Sequence, residues 1–275
     1  MPVEVAAELG INCNGSVEIA RKLIQVAASA GCDYVKLQKR DIDLVYTKEE
    51  LESKRDSPWG TTFGEQKRGL EFTQEQYEEI GNICRENRIE WFASPWDINS
   101  LKFLADFQDC KYIKIPSPLA TNKEILSACR RIDKPVVLST GMSTIDMVDT
   151  AIEVLGQGKI HSILHCTSTY PSKPEELNLS CIQTMRERYP WTKIGFSNHN
   201  PGIIFMPIAV ALGAEFIEFH VTLDRASYGS DQAASIEADG VFRLMKHIRN
   251  TEKAIGDGKK RIYDSEVPII RKLRR

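Results

Sequence analysis

The chain has 275 residues, 42% of them hydrophobic, and a formal net charge of −2. This length suits one α/β barrel or two small domains, and the absence of a basic excess speaks against nucleic acid as a partner. The longest apolar stretch, residues 203–214, is too short to span a membrane, which takes about 20 residues. The seven cysteines form no C-x-x-C pair, and no signal-peptide pattern precedes the first strand. We therefore expect free thiols and a soluble, cytoplasmic protein.

Strand and helix patterns alternate eight times along the chain. The predicted strands are 3–7, 34–38, 90–93, 112–115, 135–138, 160–166, 193–197 and 215–220. The predicted helices are 16–30, one that starts at 73, 98–107, 122–132, 144–155, 178–189, 201–212 and 239–255. Ser16, Thr73 and Asn122 are the expected N-caps. Thr73 also heads a capping box, because Gln76 follows three residues later.

Eight such units, without a linker rich in Pro, Gly or Ser, predict a single-domain (β/α)8 TIM barrel that spans 1–275. A doubly wound open sheet is the main rival, but no G-x-G-x-x-G follows the first strand. A polar insertion at about 39–72 follows the second strand and carries Trp59 and Phe63.

Polar side chains follow the carboxyl ends of the predicted strands, where barrel enzymes have their active sites. These side chains are Glu8, Lys36, Gln38, Ser94, Lys114, Ser117, Ser139, Thr140, His165, Tyr170, Ser197, His199, Glu218 and His220. Lysines and hydroxyls together indicate a site for a phosphate and a carboxylate, although each serine taken alone is more often a helix cap or turn residue. Lys36 and Lys114 carry more weight, because an unpaired ammonium is costly inside an apolar strand.

His199 and His220 end two strands that one helical crossover joins. Two imidazoles at the same end of neighbouring parallel strands indicate a divalent-metal site, whereas the alternative is one loop cap and one core histidine. Glu8 is either a structural partner of a lysine or an acid/base group. We expect Glu218 to point away from the side that His220 faces. Asp231 by itself is typical of a plain turn.

Several segments, in matching order along nearly the whole chain, resemble the sialic acid synthases (N-acetylneuraminate synthase family). They are AELGIN (7–12), VKLQ (35–38), KIPS (114–117), LSTGM (138–142), HCTSTYP (165–171), GFSNH (195–199) and EFHVTLDR (218–225). The resemblance implies a barrel that condenses phosphoenolpyruvate with the open-chain aldehyde of an N-acetylmannosamine-like aldose. The products are a nine-carbon 3-deoxy-2-keto sugar acid and phosphate.

The resemblance also implies residue roles. His199 and His220 would hold a divalent metal, commonly Mn2+, with Mg2+ or Co2+ as alternatives. The residues implied to hold the phosphate of phosphoenolpyruvate are Ser94, Lys114, Ser117, Ser139 and Ser197, and Lys36 would contact its carboxylate. The residues implied to line the sugar side are Glu8, Gln38, Tyr170 and Asp231. Glu8 is the candidate for positioning a water or moving a proton.

Three residues depart from the family pattern, which usually has His at Cys13, an acidic residue at Leu119 and Asn at Ser168. Most bacterial members continue into an antifreeze-like domain, and this chain stops where that linker would begin. We therefore expect Trp59 and Phe63 to cover the mouth, and any homo-oligomer to use the barrel surface.

Two alternatives remain open. One is a related synthase that uses a different or phosphorylated aldose, although the sequence shows no second cluster of arginines for a sugar phosphate. The other is a non-catalytic barrel that binds sugar acids, which the intact histidine pair and the two strand lysines disfavour.

Overall fold

The structure, a computed structural model, describes residues 2–274. The barrel strands are β1 (Glu4–Glu8), β2 (Tyr34–Lys39), β5 (Glu90–Pro95), β6 (Cys110–Ile115), β7 (Val136–Ser139), β8 (Ile160–Cys166), β9 (Lys193–Asn198) and β10 (Phe216–His220). These eight parallel strands close into a barrel in the order β1-β10-β9-β8-β7-β6-β5-β2, which confirms the predicted TIM barrel. Their apolar side chains form one continuous core with the surrounding helices.

One principal helix follows each barrel strand. These helices are α1 (Val17–Ala30), α5 (Gln74–Glu86), α6 (Ile98–Asp106), α7 (Lys123–Arg131), α8 (Ile145–Leu155), α9 (Cys181–Arg188), α10 (Phe205–Ala211) and α11 (Ala238–Ile255). The predicted caps are confirmed: the side chains of Ser16, Thr73 and Asn122 each accept a backbone N–H of the first helical turn. A further helix, α12 (Val267–Leu273), follows α11. Within 2–274, no helix has the length and apolar character needed to cross a membrane.

The predicted insertion after β2 folds into short elements beside the barrel mouth. They are α2 (Ile42–Val45), α3 (Lys48–Glu52), the antiparallel strands β3 (Lys54–Ser57) and β4 (Gly60–Thr62), and α4 (Phe63–Leu70). Trp59 packs edge-on against Tyr228 of the loop after β10, with ring centroids 5.8 Å apart. The insertion is thereby attached to the loop that follows the last strand. All seven cysteines are free thiols, as predicted.

A charged cluster closes the opposite, amino-terminal end of the barrel. Glu4 accepts from His161 Nε2 at 2.8 Å and from the Lys193 ammonium, and the His161 ring stacks on Tyr112 with centroids 4.3 Å apart. Burial is the largest influence on Glu4 and would raise its pKa. The hydrogen bonds from His161 and Lys193 and their charges outweigh it and lower the pKa to about 2. The ionised carboxylate therefore stabilises the fold.

Replacing Glu4 by glutamine is expected to lower the free energy of unfolding by up to about 3 kcal/mol at pH 7. The folded pKa lies below the ordinary value of 4.5. The contribution is therefore complete above pH 4.5 and is lost as the pH falls towards 2. Urea unfolding of both proteins between pH 7 and pH 3 measures it. A wild-type advantage that does not shrink below pH 4.5 would contradict this assignment.

Candidate active site

A cavity of about 290 Å³ lies at the carboxyl end of the barrel. It is lined by Glu8, Lys36, Gln38, Ser94, Trp96, Lys114, Pro116, Ser117, Pro118, Ser139, Met142, Ser168, Tyr170, Ser197, His199, Glu218 and His220. The structure thus brings together every residue to which the resemblance assigns a role, except Asp231. Asp231 lies outside the lining, but its Oδ2 is 3.6 Å from Nδ1 of His220.

The in-register pairing of the parallel strands creates this convergence. Glu8 at the end of β1 stands opposite His220 of β10 on one side and Lys36 of β2 on the other. In the adjacent strand pair, β2 with β5, Gln38 stands opposite Ser94. Because all strands run in one direction, residues that end neighbouring strands share one rim.

The first buried ion pair in the cavity joins Lys36 and Glu8. Lys36 Nζ lies 2.8 Å from Glu8 Oε2 and 3.3 Å from the Ser94 hydroxyl, and Gln38 Nε2 donates to Glu8 Oε1 at 2.6 Å. Burial would lower the pKa of Lys36, but the carboxylates of Glu218 and Glu8 outweigh burial and raise it. Lys36 therefore stays charged although it is buried.

A second buried pair joins Lys114 and Glu218, and here the sequence-based expectation is wrong. Lys114 Nζ contacts both carboxylate oxygens of Glu218 at 2.8 Å, and the Ser197 hydroxyl donates to the same carboxylate at 3.1 Å. Glu218 and His220 both line the cavity, because residues two apart on a strand point to the same face. Glu218 is thus a residue of the site. The sequence indicated this position, because Glu218 is a carboxylate two residues before a histidine at the end of the same strand.

The two pairs form one network, since Lys36 Nζ is also 3.9 Å from Glu218. Burial would raise the pKa of Glu218, but Lys114 and Lys36 outweigh it and lower the pKa to about 2. The pKa of Lys114 is lowered, chiefly by burial and against the attraction of Glu218. Two ammonium groups and two carboxylates therefore share one enclosed space, where an incoming anion competes with Glu218 for Lys114.

The two histidines lie together as predicted, with ring centroids 5.5 Å apart. His199 Nδ1 donates to the Thr167 carbonyl at 2.7 Å, which leaves Nε2 as an acceptor for the Tyr170 hydroxyl at 2.8 Å. Burial first, and then the neighbouring His220, lower the pKa of His199 to about 3, so the ring is neutral. Nδ1 of His220 is buried without a hydrogen-bond partner.

This donor set fits a divalent cation. Neutral imidazole nitrogens are good ligands, and a ring fixed through its other nitrogen by a backbone carbonyl is typical of metal-binding histidines. Within residues 2–274, no group of three or more His, Cys, Asp or Glu side chains is arranged to hold a metal ion. His199 and His220 would therefore supply two ligands and leave the remaining positions to water or substrate.

Serine hydroxyls line the cavity together with the lysines, and one loop amide holds one of these hydroxyls. The Gly141 amide donates to the Ser117 hydroxyl at 3.1 Å, and Ser117 also contacts Cys166 Sγ at 3.1 Å. A Cβ on Gly141 would lie only 2.1 Å from the Ser168 hydroxyl, so this loop requires glycine for its close approach. The serines that line the cavity are Ser94, Ser117, Ser139, Ser168 and Ser197.

Some strand-end residues do not reach the cavity. Thr140 donates to the Leu164 carbonyl at 2.9 Å, and His165 bonds the Leu177 carbonyl at 2.7 Å. Trp59 and Phe63 do not line the cavity either, and that they cover its mouth stays a prediction.

Sequence reasoning assigned no role to several lining residues, namely Trp96, Pro116, Pro118, Met142 and Ser168. Trp96 follows directly after β5, so its position next to a strand end was an available signal. Met142 has a φ of +59°, which is uncommon for a residue other than glycine. No local sequence pattern predicts this backbone conformation.

The sequence and the fold of this chain are similar to those of known synthases. The NeuB family model matches residues 23–260. The N-acetylneuraminate-9-phosphate synthase of Drosophila melanogaster is 37% identical over 90% of this chain and 68% of that protein. The N,N'-diacetyllegionaminic acid synthase of Legionella pneumophila is 32% identical over 98% of this chain and 78% of that protein. The crystal structure of N-acetylneuraminic acid synthetase from Leptospira borgpetersenii, in complex with citrate, aligns with a TM-score of 0.86 and 29% identity, covering 100% of this chain and 93% of that chain.

Proposed function

This chain belongs to the NeuB family of sialic acid and related nonulosonate synthases, and from that premise we propose that it condenses phosphoenolpyruvate with an open-chain aldose. The products are a 3-deoxy-2-keto sugar acid and inorganic phosphate. The observation that carries this proposal is the buried network of Lys36, Lys114, Glu8 and Glu218 beside the serine hydroxyls. In this proposal residues 1–275 are one catalytic unit, and the insertion at about 39–72 borders its mouth.

Phosphoenolpyruvate is assigned to the lysine side of the cavity. The Lys114 ammonium and the hydroxyls around it receive the phosphate, because charged and neutral donors converge there. The hydroxyls assigned to this phosphate are those of Ser94, Ser117, Ser139 and Ser197. Lys36, already 2.8 Å from Glu8, receives the carboxylate. The ligand's negative charge is then offset by two ammonium groups held in a desolvated site.

The acceptor is assigned to the side formed by Glu8, Gln38, Tyr170 and, at the rim, Asp231. A divalent cation held by His199 and His220, with Mn2+ ahead of Mg2+ or Co2+, would polarise the aldehyde oxygen as a Lewis acid. The methylene carbon of phosphoenolpyruvate forms the new bond to the aldehyde carbon, whose oxygen takes up a proton. Water then adds to the former enol carbon and loses a proton. The hydroxyl of this adduct then gives its proton to the departing phosphate as the C–O bond breaks, which releases phosphate and leaves the keto acid.

We assign to Glu8 the positioning of the attacking water. Its carboxylate is fixed by Gln38 on one oxygen and by Lys36 on the other, and it borders the cavity. A carboxylate held in this way can orient an attacking water or accept its proton without first changing its own rotamer. Lys36 contacts this carboxylate and the carboxylate of the ligand at the same time.

Phosphate release from phosphoenolpyruvate, measured with a panel of aldoses and their phosphate esters, tests the proposal. We expect release with at least one acceptor, dependence on added Mn2+, and a product mass equal to acceptor plus pyruvate. No release with any acceptor, in protein that still binds sugar acids, would favour the non-catalytic barrel instead.

A further inference from the structure

The hydroxyl of Tyr170 is hydrogen-bonded to the nitrogen of His199 that a cation would need. His199 Nδ1 lies 2.7 Å from the carbonyl oxygen of Thr167, which can only accept, so Nδ1 carries the proton of the neutral ring. The lone pair of the ring is then on Nε2, and the Tyr170 O–H donates to it at 2.8 Å. A nitrogen lone pair serves one partner at a time. Tyr170 and a cation therefore compete for the same atom of His199.

The aromatic ring of Tyr170 contacts both proposed metal ligands. Its centroid lies 4.1 Å from that of His199, in a stacked arrangement, and 5.5 Å from that of His220, in an edge-on arrangement. The centroids of the two imidazoles are themselves 5.5 Å apart, so the three rings form one compact group. A change of ligand on either histidine is therefore felt directly by the Tyr170 side chain.

The backbone on both sides of Tyr170 is attached to the chain just after β9. Before Tyr170, the Thr167 carbonyl accepts from the His199 ring, and after it the Ser172 N–H donates to the His199 carbonyl at 3.1 Å. Asn200 Nδ2 also donates to the Ser172 carbonyl, at 2.6 Å. The Tyr170 side chain, by contrast, is 47% exposed and lines the cavity. Rotation of this side chain, without movement of the loop, is thus sufficient to free Nε2 of His199.

We propose that Tyr170 is a positioning residue that couples metal loading to acceptor binding. Its hydroxyl leaves Nε2 of His199 when a cation binds there, and the released O–H becomes a donor for an oxygen of the aldose. A half-exposed hydroxyl finds water or substrate as a new partner, so its release costs little more than the hydrogen bond itself. This inference rests on the proposed function and adds an order to it, in which the metal precedes the acceptor.

Calorimetric titration with Mn2+, in the absence of substrates, compares the wild type with the Tyr170→Phe variant. Phenylalanine keeps the ring against both imidazoles and removes only the competing hydroxyl. We expect the variant to bind Mn2+ about three- to tenfold more tightly, because it gives up no hydrogen bond on binding. Tyr189→Phe is the matched control. It removes a phenol hydroxyl that donates to Asp149 at 2.9 Å and does not line the cavity, so it should leave the Mn2+ affinity unchanged.

Steady-state kinetics at saturating Mn2+, with an acceptor that the wild type uses, supply the second measurement. We expect Tyr170→Phe to raise KM for the acceptor about three- to tenfold and to change KM for phosphoenolpyruvate by less than about twofold, because only the acceptor loses a donor. Tighter metal binding together with weaker acceptor binding is the signature of the coupling. A residue that only contacts the sugar would weaken acceptor binding and leave the Mn2+ affinity unchanged.

Unchanged Mn2+ affinity in Tyr170→Phe would overturn the inference, and weaker Mn2+ binding would also do so, because it would make the Tyr170 oxygen a metal ligand. Neither result would remove the condensing activity. Absence of Mn2+ binding by the wild type would overturn the inference together with the metal assignment. Absence of phosphate release with every acceptor would instead remove the proposed function, while the titration would still decide whether Tyr170 competes with the metal. The two failures are thereby distinguished.

Discussion

Replacing His220 by alanine is expected to lower kcat by about 10³-fold while leaving the barrel folded. His220 is buried at the end of β10, with its ring centroid 5.5 Å from that of His199 and its Nδ1 without a hydrogen-bond partner. Its loss removes one of two proposed metal ligands and leaves His199 alone. Phosphate release at saturating Mn2+ measures the activity, and calorimetric titration with Mn2+ measures the loss of metal affinity.

His247→Ala is the matched control for this variant. His247 is exposed on α11, lines an apolar groove with Ile208 and does not line the cavity. Its replacement is expected to leave both kcat and Mn2+ affinity unchanged. Full activity of His220→Ala, with an unchanged circular dichroism spectrum, would remove the metal assignment.

The second large effect is expected at Lys114. Replacing it by methionine leaves the buried Glu218 carboxylate without the partner that contacts both of its oxygens at 2.8 Å. An uncompensated buried charge typically costs about 3–5 kcal/mol, so we expect a loss of that order in the free energy of unfolding. Activity is expected to disappear as well, because the proposed phosphate site loses its ammonium. Urea unfolding and phosphate release report the two effects separately.

Two further variants separate structure from chemistry. The double variant Lys114→Met with Glu218→Gln removes both charges and is expected to recover much of the lost stability without recovering activity. Lys134 is a buried lysine outside the cavity that donates to the carbonyls of Phe107 and Cys110 at 2.7 and 2.8 Å. Lys134→Met should lose stability but keep its activity per folded molecule. An active double variant would show that Lys114 serves only to neutralise Glu218.

Local sequence was sufficient for the architecture. The alternation of strand and helix patterns, with caps such as Ser16 and Thr73, predicted the barrel, and these signals act over a few residues. The rule that polar residues at the carboxyl ends of parallel strands share one mouth then placed Glu8, Lys36 and His220 together. The resemblance to a family supplied their expected roles, which the proposed experiments test.

The pairing of charges was decided only by the tertiary structure. Lys114 belongs to β6 and Glu218 to β10, and no periodicity within either strand specifies that their side chains meet across the barrel. That contact depends on how the closed ring sets the register of strands distant in sequence. Sequence alone therefore determined which chemical groups stand at the mouth, whereas closure of the barrel determined which of them are paired and which remain available to a ligand.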